Sequence, residues 1–376
     1  MRGLRNWELG VGHWAFDAFA RQGTSIVKLR DLLAHGTSVA KAHAVGARIP
    51  LNVMLGVTNR CLSHCTYCQI PTRSHHEMTT DQIKDLLRQM AAAGTIRVGL
   101  WGGEPLIRTD IGEIVTYARS LGMYTTMDSN GYLVPRKLDA LRDLDHLVLA
   151  FDGPEEAHDA NREPGSHTKV MAAMEAVRGR VPFWTLTVLT RNNLPHLSHI
   201  LEVVHGYGSM AGFQVLHHNP FMGGDTSGML PTDDEYRTAI SWLLEQKRRG
   251  APIACSRRYL AYLLAWPSYA VPKTAQPRGL KCWAGRLFCN VDVDGSVYPC
   301  SLLIDEMPAL NALEVGFRRA FDAAADYDCR ACDAACYTEY NYLYSLDMPT
   351  IFDWVLAMRN VGSGRRVPPP NEGRAS

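Results

Sequence analysis

The chain has 376 residues, 46% of them hydrophobic, enough for one large domain with its own core and a smaller one. Its 39 Lys and Arg balance 38 Asp and Glu, so bulk charge gives no reason to expect nucleic acid as a partner. No run of eighteen apolar residues offers a membrane span, and the start lacks an apolar signal-peptide core. Ten cysteines in that setting imply a reducing, cytoplasmic compartment and metal chemistry.

Residues 1–47 read as an N-terminal helical segment. Ile26, Leu29, Leu32 and Leu33 recur at helical spacing, after Trp7, Trp14, Phe16 and Phe19. A helix packed on the rest of the chain is the leading expectation, and contact with a membrane surface the lesser one. Residues 48–225 alternate short apolar strands with helices. Strands are expected at 50–57, 96–101, 124–127, 147–151, 183–189 and 213–216. Helices are expected from Thr79 and near 110–121, 135–143, 167–178 and 195–205. Thr79 and Gln82 form a capping box, and Ile83, Leu86, Leu87 and Met90 share a face behind it. Such alternation builds an α/β fold with a parallel sheet and helices outside. Six units are too few for a closed eight-fold barrel, so a partial, open (β/α)6 TIM-like barrel is expected, with its chemistry at the carboxyl ends of the strands.

Residues 226–280 read as a helical connector. Thr232 and Glu235 cap a helix to about 249, a second covers 257–266, and Pro267, Pro272 and Pro277 break the pattern. Residues 281–345 are rich in cysteine. In 346–376, Ile351, Phe352, Val355, Leu356 and Met358 suggest one short helix before a tail, 362–376, whose composition reads as disordered.

The chemistry concentrates in one stretch. Cys61, Cys65 and Cys68 place three thiols within eight residues. Three such neighbours cannot all pair as disulfides, and soft thiolates select zinc or iron–sulfur clusters. Three ligands leave one position open, which usually serves chemistry. A structural zinc site completed by a residue such as His64 is the plainer alternative. Gly102, Gly103, Glu104 and Pro105 follow the second strand. Their glycines allow close backbone approach to a ligand, and Glu104 offers a carboxylate to an ammonium; an ordinary turn is the alternative. Ser129 and Asn130 end the third strand with short polar groups suited to a ribose or a carboxylate, or only to an Asn–Gly turn. Asp152 ends the fourth. It would bind substrate, fix Arg162 in a bidentate pair, or merely cap a turn. His217 and His218 follow the sixth strand and are left aside as structural. Cys255 reads as an inert, partly buried thiol, with hydrogen-atom donation as the sharper alternative. Cys282, Cys289, Cys300, Cys329, Cys332 and Cys336 put six more thiols into 55 residues, a second soft-metal set for which a zinc ribbon is the structural alternative.

The first triplet, with Tyr67 before its last cysteine, resembles the signature of the radical S-adenosylmethionine (SAM) enzymes. The resemblance implies that Cys61, Cys65 and Cys68 hold a 4Fe–4S cluster whose remaining iron binds the amino and carboxylate groups of SAM. An electron then cleaves SAM to methionine and a 5′-deoxyadenosyl radical, which abstracts hydrogen from substrate. Gly102–Pro105 matches the segment that contacts the SAM amino group in that family. Thr187 and Arg191, at the end of the fifth strand, stand where the family often touches the SAM carboxylate or ribose. Phe151–Pro154 with His158, Asp159 and Arg162 resembles the fourth-strand segment of peptide and cofactor maturases, which makes Asp152 the catalytic candidate. Cys282, Gly295 and Cys300, with Asp294 and Gly295 as a hairpin turn, resemble the opening of a SPASM auxiliary-cluster domain. Cys329, Cys332 and Cys336 resemble its second half but fall short of a full set. Six ligands imply one auxiliary 4Fe–4S cluster, as in the shortened twitch version, or two with an incomplete ligand set. The implied substrate is a peptide or peptide-derived precursor, ahead of a sugar, aminocyclitol or lipid. The implied electron source is an external donor such as flavodoxin or ferredoxin. A non-enzymatic iron–sulfur or zinc carrier is the competing class, and Gly102–Pro105 argues against it.

Overall fold

The computed structural model describes residues 29–216, 226–271, 273–274, 280–324 and 331–361, with the backbone alone for 29–36, 273–274 and 356–361. Trp7, Trp14, Phe16, Phe19, Ile26, His217, His218, Pro272, Pro277, Cys329 and the tail 362–376 lie outside the described residues, as do the side chains of Leu29, Leu32, Leu33, Leu356 and Met358.

Helix α1 (Leu29–Val45) leads into strand β1 (Asn52–Thr58) and helix α2 (Thr80–Ala92). Then come β2 (Arg97–Gly102), α3 (Ile111–Ser120), β3 (Tyr124–Ser129), β4 (His146–Ala150), α4 (Glu155–Asn161), α5 (Ser166–Val177), β5 (Phe183–Leu189), α6 (Leu197–Gly206) and β6 (Ala211–Val215). Strands β1 to β6 pair in sequence order and in parallel. The expected capping box is present. Thr79 accepts from the Gln82 amide while the Gln82 side chain accepts from the Thr79 amide, and Ile83, Leu86, Leu87 and Met90 are buried behind it. The partial TIM-like barrel is thus the observed fold.

Burial along the strands follows their two-residue period. Val53, Leu55, Leu100, Met127, Leu147, Leu149, Phe213 and Val215 point outward and are buried beneath the helices. The opposite face stays partly open. Met54, Trp101, Val148, Ala150, Leu186, Val188 and Gln214 are only half-buried there, and Asp128 is exposed. That inner face lines a lumen. At its floor Arg97 donates to Asn52 Oδ1 (2.6 Å), Thr126 Oγ1 (2.8 Å) and Tyr340 Oη (2.7 Å).

The connector carries α7 (Asp233–Arg248), opened by the Thr232–Glu235 capping box, and α8 (Arg257–Leu264). A two-residue strand β7 (Lys273–Thr274) follows. Beyond it, β8 (Phe288–Val291), β9 (Ser296–Tyr298) and β10 (Leu310–Asn311) extend the main sheet, β8 lying parallel to β1 on its free edge. Gly295, at φ +93°, makes the β8–β9 turn expected at Asp294–Gly295. The first half of the cysteine-rich segment is therefore built onto the barrel's own sheet. Short helices α9 (Ala312–Val315) and α10 (Phe317–Ala323) and strand β11 (Ala331–Cys332) precede α11 (Ala335–Tyr344) and α12 (Met348–Val361).

Three expectations need correction. Residues 135–143 form two 3-10 turns, Val134–Arg136 and Leu138–Leu141, not an α-helix. Pro135 removes a donor there, and Ala140 presses so close to α3 that a Cβ on Gly112 would lie 3.0 Å from the Ala140 Cα. Helix α4 was not expected, because its seven residues carry no periodic stripe. Helix α11 was missed because it is buried nearly all round, Tyr337, Thr338, Tyr340, Asn341 and Tyr344 included. Helix α1 packs on this C-terminal part, with Val39 and Ala42 in one cluster with Trp283 and Tyr344. Among the described residues no helix is long and apolar enough to cross a membrane.

Candidate active site

The cysteine loop leaves the carboxyl end of β1 and is pinned at both of its own ends. Glu77 accepts from Thr58 Oγ1 (2.7 Å) and the Asn59 amide (2.8 Å). Arg73 forms a buried ion pair with Asp292 of the β8–β9 turn (2.6 Å) and reaches Asn59 Oδ1 (3.3 Å). Gly102 and Gly103 then run along the start of this loop. A Cβ on Gly102, at φ +141°, would stand 2.1 Å from the Thr58 carbonyl oxygen, and one on Gly103 2.3 Å from that of Arg60. The Gly103 amide donates to Thr58 O and the Glu104 amide to Arg60 O, both at 2.8 Å. Both glycines are thus required by the chain's own backbone, which locks the end of β2 against the loop.

Glu104 is fully buried. Its carboxylate accepts from the Leu106 amide (3.1 Å), Ser129 Oγ (3.0 Å) and the Asn130 amide (2.8 Å). Burial pushes its carboxyl up to about 7 despite those donors. Asn130 in turn donates from Nδ2 to Cys61 Sγ (3.6 Å). A continuous path of contacts therefore joins Glu104, Ser129, Asn130 and the first cysteine.

The three thiols are unpaired and half-buried. Ser63 supports two of them, its amide to Cys61 Sγ (3.4 Å) and its hydroxyl to Cys65 Sγ (3.2 Å). Burial raises Cys61, and raises Cys68 to about 11, and the thiols' mutual repulsion adds to both. Thiols held protonated by burial and by one another release their protons to a bound cation, as a metal ligand set must. Among the described residues no three Cys, His, Asp or Glu side chains converge on one ion. Three unpaired, half-buried thiols are the donor set a four-iron cluster takes up, each thiolate on a different iron. His64 does not complete a zinc site. Its side chain is 86% exposed and its Nδ1 meets Glu163 at 3.2 Å.

Several expected residues turn inward to the scaffold. Asp152, the catalytic candidate, is fully buried and touches no open space. Its Oδ2 accepts from Arg162 Nε (2.8 Å) and its Oδ1 from the Val188 amide (3.1 Å), so the pair uses one oxygen and is not bidentate. Asp152 positions Arg162. Thr187 Oγ1 donates to the Phe151 carbonyl (2.6 Å), which occupies its hydrogen within the sheet. Arg191 is exposed and donates to the Leu230 carbonyl (3.0 Å), tying β5 to the connector. Neither residue reaches the loop contacts of Cys61. Cys255 is buried against the Phe213 backbone and pushed up to about 12, an inert thiol.

The second cysteine set divides. Cys282, Cys300 and Cys332 share one cluster of packed side chains, and repulsion from Cys282 and Cys300 adds to burial in raising Cys332. Cys289 does not join them. It sits on β8 opposite Val53, in the main core, and burial alone raises it. Cys336 is exposed, and the charges that act on it are Asp128 and Arg97 of the lumen. Sequence reasoning also missed Arg73 and Asp128. An Asp opening a turn carries no signal of facing a lumen until the strand phase is known.

Such a fold and thiol set define an enzyme that couples a cysteine-bound cluster to chemistry inside a half-open barrel. Residues 55–204 match the family model described as the Radical SAM superfamily. The chain is 31% identical over 268 residues to the PqqA peptide cyclase of Rhodopseudomonas palustris, covering 67% of each protein. It is 27% identical over 286 residues to the AdoMet-dependent heme synthase of Methanosarcina barkeri, covering 71% of this chain and 81% of that one. Among solved structures, Streptococcus suis SuiB bound to the precursor peptide SuiA superposes with a TM-score of 0.60 at 14% identity, covering 80% of this chain and 72% of that one. The enzyme anSMEcpe with bound AdoMet and Kp18Cys peptide superposes at 0.59 with 17% identity, covering 81% and 99%. These two likenesses show the fold. The chain belongs to the radical SAM superfamily and is a radical SAM enzyme.

Proposed function

We propose that this enzyme modifies a peptide precursor by hydrogen abstraction within the lumen. The observation that carries the reading is the half-open inner face of the sheet, which ends beneath the cysteine loop. Curated relatives named for peptide cyclisation, and structural neighbours holding peptides, support the substrate class. Cys61, Cys65 and Cys68 hold the 4Fe–4S cluster, which when bound supplies the electron that cleaves SAM to methionine and the 5′-deoxyadenosyl radical. Gly102, Gly103, Glu104 and Pro105 receive the methionyl end of SAM. Ser129 and Asn130 fix the Glu104 carboxylate, which, fully buried, lends negative charge behind the ammonium rather than a direct contact. Burial helps here, since a carboxylate poised near neutrality ionises fully beside a cation. Val148, Ala150, Leu186 and Val188 present an apolar wall that keeps water from the radical, and Asp128 offers the peptide a polar anchor.

Residues 281–345 act as an auxiliary-cluster unit behind the 48–225 core and the 226–280 connector. Cys282, Cys300 and Cys332 supply three ligands of one four-iron cluster. Cys329, placed by its spacing in the sequence, supplies the fourth. An external donor of the flavodoxin or ferredoxin class delivers the electrons. Anoxically reconstituted protein given SAM and dithionite releases 5′-deoxyadenosine, and Cys61→Ala abolishes the release. Assembled clusters with no 5′-deoxyadenosine from the unmodified chain would remove the reading.

A further inference from the structure

Of the three thiols, Cys65 is contacted by a charged side chain. Arg162 Nη1 donates to Cys65 Sγ at 3.7 Å, whereas the side chain that reaches Cys61 is the neutral amide of Asn130. Arg162 itself is only 8% exposed. Asp152 holds its Nε from the other side at 2.8 Å, and the Tyr67 ring lies 5.9 Å from its Cζ. His158, one turn earlier, accepts from the Asp152 amide (3.0 Å), and burial beside Arg162 holds it neutral, so it adds no charge. The neighbouring Glu163 is turned away toward His64 and Lys169. The result is a buried, anchored cation whose free edge faces one ligand sulfur.

Reducing a cluster adds one negative charge, and that charge spreads onto its thiolate sulfurs. A nearby cation and an N–H donor to sulfur both stabilise the reduced form, and burial limits screening by water. We propose that Arg162 is a positioning residue that raises the reduction potential of the cluster held by Cys61, Cys65 and Cys68. Asp152 sets how far it does so. The inference rests on the cluster assignment made above. It differs from an Arg that binds the SAM carboxylate, because its effect is present before SAM is added.

The test is a potentiometric titration of the full reconstituted chain without SAM, read by electron paramagnetic resonance. The signal followed is the one whose shape changes when SAM is added. Arg162→Gln is expected to lower the reduction equilibrium constant about tenfold, which is about 59 mV more negative for a one-electron couple. Arg162→Lys should fall between the two, and iron and sulfide content should stay at the wild-type level. Asp152→Asn, which keeps the cation and removes its counter-charge, should move the midpoint the other way. Unchanged midpoints in Arg162→Gln overturn the proposal, whether or not SAM binding weakens. If Arg162→Gln cannot retain its cluster, Asp152→Asn decides alone, and an unmoved midpoint overturns it. Failure of the wild-type chain to form any SAM-responsive cluster would instead sink the cluster assignment.

Discussion

Glu104 concentrates the electrostatics of the site in one carboxyl. Its folded value of about 7 lies above the ordinary carboxylate value near 4.3, so the folded state keeps a proton that the unfolded state releases. Its contribution to stability is therefore fully present below about pH 4 and is lost as pH rises through 7, by at most about 4 kcal/mol. Glu104→Gln removes this slope. Urea unfolding of apo protein at pH 5 and pH 8 should show the Gln variant gaining on wild type at the higher pH; a constant difference would contradict the burial argument. The same residue shows what sequence does and does not disclose. Cys61, Cys65 and Cys68 stand out in the sequence by their short-range spacing, and Glu104 by its Gly–Gly–Glu–Pro motif; the structure joins Glu104 to Cys61 through Ser129 and Asn130. Thr187, Arg191 and Asp152 were legible only as polar residues at strand ends. Whether such a group faces the lumen or the scaffold depends on strand phase and on partners such as the Phe151 and Leu230 carbonyls, distant in sequence.

Elements carry the next level of constraint. The end of β2 and the start of the cysteine loop approach so closely that Gly103→Ala would place a methyl 2.3 Å from the Arg60 carbonyl oxygen and 2.5 Å from that of Asn59. Both atoms are backbone and cannot swing aside, so we expect a loss of about 1–3 kcal/mol together with poorer iron retention. Gly206→Ala, whose Cβ would meet nothing within 4 Å, is the control that should retain iron. Thermal melts and iron content of the two variants separate local crowding from a general intolerance of alanine. At the far end of the loop, Arg73→Ala leaves buried Asp292 with the partly exposed His75, 3.4 Å away, in place of its guanidinium, and should cost at most about 3–5 kcal/mol. A melt within a degree of wild type would show that the pair holds nothing. The parallel core and both capping boxes were readable because apolar periodicity and local caps are short-range signals. Helix α11 and the addition of β8 to β1 were not, since an all-buried helix shows no stripe and β8 pairs with a strand more than two hundred residues away.

At the scale of the whole molecule, the sheet joins the two cysteine sets. Strand β8 lies against β1, which delivers Cys61, while the loop after β9 delivers Cys300. A continuous ladder of hydrogen bonds fixes the distance between the two sites far better than a flexible linker would. The resemblance to an auxiliary-cluster domain implied one cluster or two, because six thiols could not be sorted from the sequence. The structure sorts five of the six. Cys289 is a core side chain, Cys336 is exposed and outside that cluster of side chains, and Cys282, Cys300 and Cys332 pack in one cluster. Reconstituted wild type should therefore bind about eight irons, as two four-iron clusters require, and not about twelve. Cys300→Ala should fall toward about four. Cys289→Ala should keep all eight while losing about 1 kcal/mol of stability through the small cavity it leaves. Cys336→Ala should also keep eight, but change turnover with peptide. Loss of iron from Cys289→Ala would place that thiol among the ligands and return the argument to two incomplete clusters.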